Sequence, residues 1–241
     1  MIVLFAFLLA AVAPPARDAD RVRRALEARY EHARTLEADF FEQYSDGSGG
    51  VTAESGTVYF SRPGRMRWEY ESPEQKLFLV DGTNVWFYVP TNHTASRAKL
   101  KESSDWRTPL ALLAGKADLA QLCSKVEIVN SVSGQGNEPA AEGGLAAGLQ
   151  VLPVAPGDTV LRCIPRDHSD AASGASQEVL LETDADANLI GVLIHEPGNI
   201  TTEFRFGNWR ENIPLPEAKF HFLPPAGVAI VDEESLAGDI R

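Results

Sequence analysis

Apolar and polar positions alternate along most of this chain, but only after one stretch with a helical period. Over residues 18–36, "DADRVRRALEARYEHARTL", the positions Val22, Ala25, Leu26, Tyr30, Ala33 and Leu36 recur at steps of three and four. That spacing predicts an amphipathic helix with a single apolar stripe. The period then drops to two. "LEADFFEQY" sets Ala38, Phe40 and Glu42 on one side and Asp39, Phe41 and Gln43 on the other, which predicts a strand with a phenylalanine on each face. Further strands are predicted at 54–61, 65–71, 76–80, 84–89 and 95–101. Their separators "RPG", "SPE", "DGT" and "PTN" carry Pro or Gly residues that suit tight turns and are out of place in central strands. Asp81-Gly82 is the strongest hairpin signal among them.

The meander is interrupted at residues 105–123, "DWRTPLALLAGKADLAQLC", where Pro109 suits a first helical turn, Leu110, Leu112, Leu113 and Leu119 supply an apolar surface and Gly115 can end the turn. Strands resume at 125–132, 148–154, 158–165, 177–183, 188–196, 200–207 and 218–223. Between the first two, residues 133–147 are rich in Gly, Ala and Glu without a period and read as a flexible insertion. Short strands joined by tight turns, with no alternation of strand and helix, predict an antiparallel sheet in a mainly β (α+β) chain. About eleven strands in one sheet must curl. The expected fold is therefore an incomplete antiparallel β-barrel with a helical lid across its mouth. Pairs such as Phe40 and Phe41, Tyr59 and Phe60, or Trp86 and Phe87 load both faces of single strands. Periodicity alone allows two explanations, an apolar cavity on one face or a sandwich of two sheets with ordinary cores.

Composition narrows the function. With 34 acidic and 22 basic residues the formal charge is -12, which repels phosphate backbones and argues against nucleic acid as a partner. Residues 1–16 hold an apolar run from Ile2 to Ala13 that is shorter than the roughly 20 residues a membrane helix needs, and Ala11-Val12-Ala13 fits a cleavage pattern. These residues read as a signal peptide with an uncertain cut, leaving one domain over 17–241 and pointing to export. Two cysteines, Cys123 and Cys163, are compatible with one disulfide or with two buried thiols. The five histidines are scattered, and no nucleophile elbow, metal-binding spacing or phosphate loop is present. No catalytic residue, metal or cofactor is therefore expected. Glu182, Asp184 and Asp186 read as a solvated acidic turn rather than a calcium loop.

The ordered segments "LEADFFEQ", "GTVYFSRPGRMRWEY", "KLFLVDGTNVWFYVP", "DWRTPLALLAG" and "AKFHFLPPAGVAIVD", following an amphipathic helix, resemble the periplasmic outer-membrane lipoprotein carrier family, LolA. The resemblance implies a half-barrel that shields the acyl chains of lipoproteins in the periplasm. It takes them from an inner-membrane ATP-driven release complex and hands them to an outer-membrane acceptor, as a monomer and without catalysis. It implies that Arg62, followed by Pro63, is a latch whose side chain hydrogen-bonds to the lid in the ligand-free form, and that Met66 receives cargo. With the bulky residues around them, the expected acyl-binding cavity is Phe40, Tyr59, Met66, Trp68, Phe78, Trp86 and Leu112. A general lipid or glycolipid binder built on the same scaffold is the alternative, and a hydrolase a more distant one.

Overall fold

The computed structural model describes residues 18–100, 112–115, 118–129, 155, 157–166 and 178–233. The expected signal peptide, the insertion at 133–147 and the expected strand at 148–154 lie outside them. Helix α1 covers Ala19–Glu31, and Asp18 caps it by accepting a hydrogen bond from the Asp20 amide. It stops well short of residue 36. The Arg34 amide donates to the Asn212 side chain at 2.9 Å and the Thr35 hydroxyl donates to the Ile213 carbonyl at 2.7 Å. These long-range bonds draw residues 34 and 35 out of the helix and into the sheet, where tertiary pairing outweighs local propensity.

Twelve strands follow: β1 Thr35–Ser45, β2 Val51–Ser61, β3 Arg65–Ser72, β4 Lys76–Val80, β5 Asn84–Val89 and β6 Thr94–Lys99, then β7 Cys123–Val129, β8 Thr159–Pro165, β9 Glu178–Thr183, β10 Leu189–Glu196, β11 Ile200–Glu211 and β12 Ala229–Glu233. They form one unclosed sheet in the order β12-β6-β5-β4-β3-β2-β1-β11-β10-β9-β8-β7. Every neighbouring pair is antiparallel except β12 with β6. Of the helix expected over 105–123, residues 112–113 are helical, and a short helix α2 covers Leu119–Leu122 before β7 begins at Cys123. Cys123 and Cys163 are disulfide-bonded, tying the start of β7 to β8.

Two elements near the C-terminus differ from expectation. Residues 218–223 alternate like a strand, but prolines at 214, 216, 224 and 225 remove the amides a ladder needs. The segment instead forms a 3-10 turn at Glu217–Phe220 and lies against the sheet. The extra strand is β12, whose five residues follow a proline-glycine break and are mostly exposed, so it shows no half-buried alternation.

The sheet is curled. Trp68 on β3 and Phe204 on β11 have ring centroids 5.3 Å apart although β2 and β1 run between them. In a flat sheet three strand spacings would separate them by about 14 Å. Gly56 sits in this row, opposite Phe40 on β1 and Tyr70 on β3. Its missing side chain leaves a notch over which the Phe40 and Tyr70 rings meet edge to face at 5.0 Å. A Cβ at Gly56 would stand 1.9 Å from the Glu69 carbonyl oxygen.

The inward side of the curl is covered by α1 and residues 112–114. The Tyr30 hydroxyl fixes α1 by accepting from the Leu189 amide at 3.0 Å, and Arg29 donates to the Asn188 side chain and pairs with Glu211. Glu27 accepts from the Leu119 amide at 2.9 Å, joining α1 to α2. Gly56→Val is expected to destabilise the fold by about 1–3 kcal/mol through overpacking against the Glu69 carbonyl, read as a lowered urea midpoint. An unchanged midpoint would mean that the close approach is unimportant.

Candidate functional site

The parity of each strand assigns its side chains to faces. Inward are Leu36, Ala38, Phe40 and Glu42 of β1, Val58 and Phe60 of β2, Met66, Trp68 and Tyr70 of β3, and Phe78 and Val80 of β4; Phe204 and Phe206 of β11 join them from the other half of the sheet. Rings make up most of the centre: Trp68 lies 4.8 Å from Phe40 edge to face, 6.3 Å from Phe60 and 6.1 Å from Phe206. Leu112, Leu113 and Ala114 close over this face and are almost fully buried. In this arrangement the rings pack against one another, against α1 and against the covering turn.

The corner between β2 and β3 holds that turn in place. The Gly64 amide donates to the Ala114 carbonyl at 2.7 Å. Arg62 donates through Nη1 to the Ala33 carbonyl just past α1, at 3.3 Å, while its backbone amide donates to the Arg34 carbonyl at 2.9 Å. The guanidinium lies against Gly115, where an added Cβ would come within 2.2 Å of Nε. Gly115 also has φ +67, a conformation that suits glycine and ends the helical turn. Arg62 therefore spans the exit of α1, the β2–β3 corner and the covering turn. Partial burial lowers its affinity for the proton from the usual arginine range, because a desolvated guanidinium loses hydration.

The far end of the inward face is polar. Glu42 is buried and accepts a hydrogen bond from the Tyr70 hydroxyl at 2.8 Å. Glu54, its cross-strand neighbour, pairs with Lys76, whose ammonium lies 6.0 Å from the Tyr70 ring centroid. Burial pushes the Glu42 carboxyl from its usual 4.5 up to about 7; the Tyr70 hydrogen bond opposes this, Glu54 adds to it and Lys76 opposes it.

A family profile described as "Outer membrane lipoprotein carrier protein LolA" matches residues 31–137. An outer-membrane lipoprotein carrier protein of Chromobacterium violaceum is 30% identical over 206 residues, covering 86% of this chain and 85% of its own. The chain belongs to the LolA family. The Nitrosospira multiformis carrier protein is 28% identical over 211 residues, covering 86% of this chain and 87% of its own. A solved LolA superfamily protein from Nitrosomonas europaea overlays 86% of this chain and 99% of its own at 8% identity, with a TM-score of 0.46.

Five of the seven expected lining residues of this LolA family member lie together on the inward face: Phe40, Met66, Trp68, Phe78 and Leu112. Tyr59 and Trp86 do not. Each is one residue out of phase with its inward neighbours Phe60 and Val85, so both point to the opposite face. There they pack with Leu77, Leu79 and Phe220, under the segment that carries Leu215 and Phe222. The double apolar loading of these strands thus has two covers, helical on one face and a returning chain on the other. A groove of about 700 Å³ beside that outer cover is lined by Arg67, Glu69, Lys76 and Lys219 among others, a mixture of charges unlike the inward face.

The expected lining set leaves out Phe60, Phe204, Phe206 and Glu42, while Gly115 ends its turn as the sequence predicts. The two-residue period already sets Glu42 on the side of Phe40, and the pairing of Phe60 with Met66 follows from the hairpin register. The two β11 phenylalanines needed the pairing of β1 with β11, which no local signal encodes. In "LETDADANL" the Asp184 carboxylate accepts from the Asp186 and Asn188 amides, as a turn does, whereas Glu182 is no part of a solvated turn: it is buried on β9 and pairs with Arg205.

Because the native state holds the Glu42 proton more tightly than the unfolded chain, stability is expected to fall as pH rises from about 4.5 through 7. Glu42→Gln should abolish up to about 3 kcal/mol of that decline, measured by urea unfolding at pH 4.5 and 8; parallel profiles would mean Glu42 does not titrate in this window. Gly115→Ala should push Arg62 aside and speed hydrogen exchange at the Gly64 amide by about tenfold. Unaltered exchange would show that the turn holds without the Arg62 contact.

Proposed function

We propose that this protein is a periplasmic carrier that shields the acyl chains of lipoproteins on the inward face of its sheet, without catalysis and as a monomer. It receives them from an inner-membrane ATP-driven release complex and passes them to an outer-membrane acceptor. Membership of the LolA family, whose relatives are outer-membrane lipoprotein carrier proteins, supports this reading. The observation that carries it is the cover: an aromatic face closed by a short turn that the Gly64 amide fastens and Arg62 packs against. The disulfide is in keeping with an oxidising compartment.

Magnitudes indicate how such a carrier works. Three acyl chains with some forty methylenes represent on the order of 30 kcal/mol of gross transfer free energy, at about 0.8 kcal/mol per methylene. Opening exposes Leu112 and Leu113 and breaks the corner hydrogen bonds, which together cost about 5 kcal/mol. One acyl chain offsets that. The closed form therefore dominates when empty, and cargo shifts the population toward the open form. The opening cost also weakens cargo binding by the same amount, so an acceptor without such a fastening holds the cargo more tightly.

The wild-type protein is expected to copurify from the periplasm with acylated polypeptide at about one per chain, identified by mass spectrometry. Recovery of phospholipid alone would favour a general lipid binder. Arg62→Leu should take up cargo but hand it over at least tenfold more slowly to the acceptor, since it removes an interaction that favours the empty form. Uptake and handover equal to wild type would remove Arg62 from the mechanism.

A further inference from the structure

Trp68 stands at the centre of the inward face and is 2% exposed, yet its indole Nε1–H has no hydrogen-bond partner. The indoles of two other tryptophans show what is ordinary in this fold. Trp86 donates to Asp81 at 2.9 Å and Trp209 donates to the Leu189 carbonyl at 2.8 Å. Among the described residues, the other buried side-chain atoms without a partner are Arg162 Nε and Glu178 Oε1, and those two residues already pair with each other through their remaining atoms. Trp68 has one polar atom, and it is left unpaired. Burying a donor unpaired is unfavourable, and an aromatic ring without a donor would fill much of the same space without that penalty. The closed form therefore carries a donor that is satisfied only when something with an acceptor enters.

The surroundings restrict what the acceptor can be. Phe40, Phe60, Phe204 and Phe206 ring the indole, so a charged acceptor would be desolvated there among rings. Glu42 lies on the same face and the same strand as Phe40, which disfavours a second carboxylate. A hydrocarbon tail offers no acceptor, and an ether oxygen is a poor one. We infer that Trp68 Nε1–H is a specificity donor for the neutral ester carbonyl at the head of an acyl chain, so that the site recognises esterified chains over free fatty acids or plain hydrocarbon. This rests on the acyl-carrying reading above and adds to it a polar point of recognition.

The test uses two diacyl glyceryl lipids of equal chain length, one ester-linked and one ether-linked, each displacing a hydrophobic fluorescent dye from the full chain. Wild type should bind the ester lipid roughly fivefold or more tightly than the ether lipid. Trp68→Phe should bring that ratio near one, whatever common change in both affinities the smaller ring causes. To avoid dependence on the variant's folding, the indole proton resonance of Trp68 in wild type is followed by 15N-correlated NMR, and it should move downfield with the ester lipid and not with the ether lipid. Equal affinities in wild type, a wild-type ratio in Trp68→Phe, or identical indole shifts with both lipids would overturn the donor assignment while leaving acyl carriage intact. Failure of both lipids to displace the dye from wild type would sink the carrier reading and this inference with it.

Discussion

The contact between Trp68 on β3 and Phe204 on β11 can be made only by a sheet bent toward the side that carries both rings. Gly56 makes room for that bend by removing a side chain from the inward row and letting β2 approach the Glu69 carbonyl. Once the sheet is bent, its inward face is a concave apolar surface that the sheet cannot close, because β12 and β7 remain unpaired with each other. Helix α1 and the turn at 112–114 must then supply the rest of the enclosure. The fastening of that turn to Gly64 and its contact with Arg62 follow from where the β2–β3 corner lies, at the rim next to the exit of α1.

Much of this was legible in the chain because strands such as β1, β3 and β11 follow a two-residue period and most of the early breaks contain Pro or Gly. The helix, the first six strands, the disulfide as one of two options, and the corner at Arg62 could be read directly. What could not be read was which face each bulky residue takes when both faces are apolar. Tyr59 and Trp86 illustrate this: a cover on the outer face made from residues 213–222 is a long-range event, and nothing near residue 59 announces it. The same limit applies to Phe204 and Phe206, whose role depends on β11 lying beside β1. The end of α1 was misjudged for a related reason, since the bonds that draw out Arg34 and Thr35 come from Asn212 and Ile213.

The two faces of β3, β4 and β5 are buried by different means, and the difference matters for function. On the outer face Phe220 is held in a continuous stretch of chain stiffened by prolines, a cover with no obvious way to leave. On the inward face, among the described residues, the β2–β3 end is covered by the turn at 112–114, which the Gly64 amide fastens. Placing a protonatable carboxyl, Glu42, and an unpaired indole donor on that inward face makes the interior less than optimal as a core. Such departures from good packing are tolerated where the interior has another use.

An unclosed sheet has two rims, and a carrier that bares a greasy interior near membranes runs the hazard of stacking rim to rim with its own copies. The strand β12 answers that hazard on one side. It is five residues long, runs parallel to β6, and places Asp232 against Arg97 and Glu233 against Ser96. A short, acid-bearing outermost strand is a poor template for growth, and two such hems repel each other. That border of the molecule is thus a poor place for a second copy to add a strand.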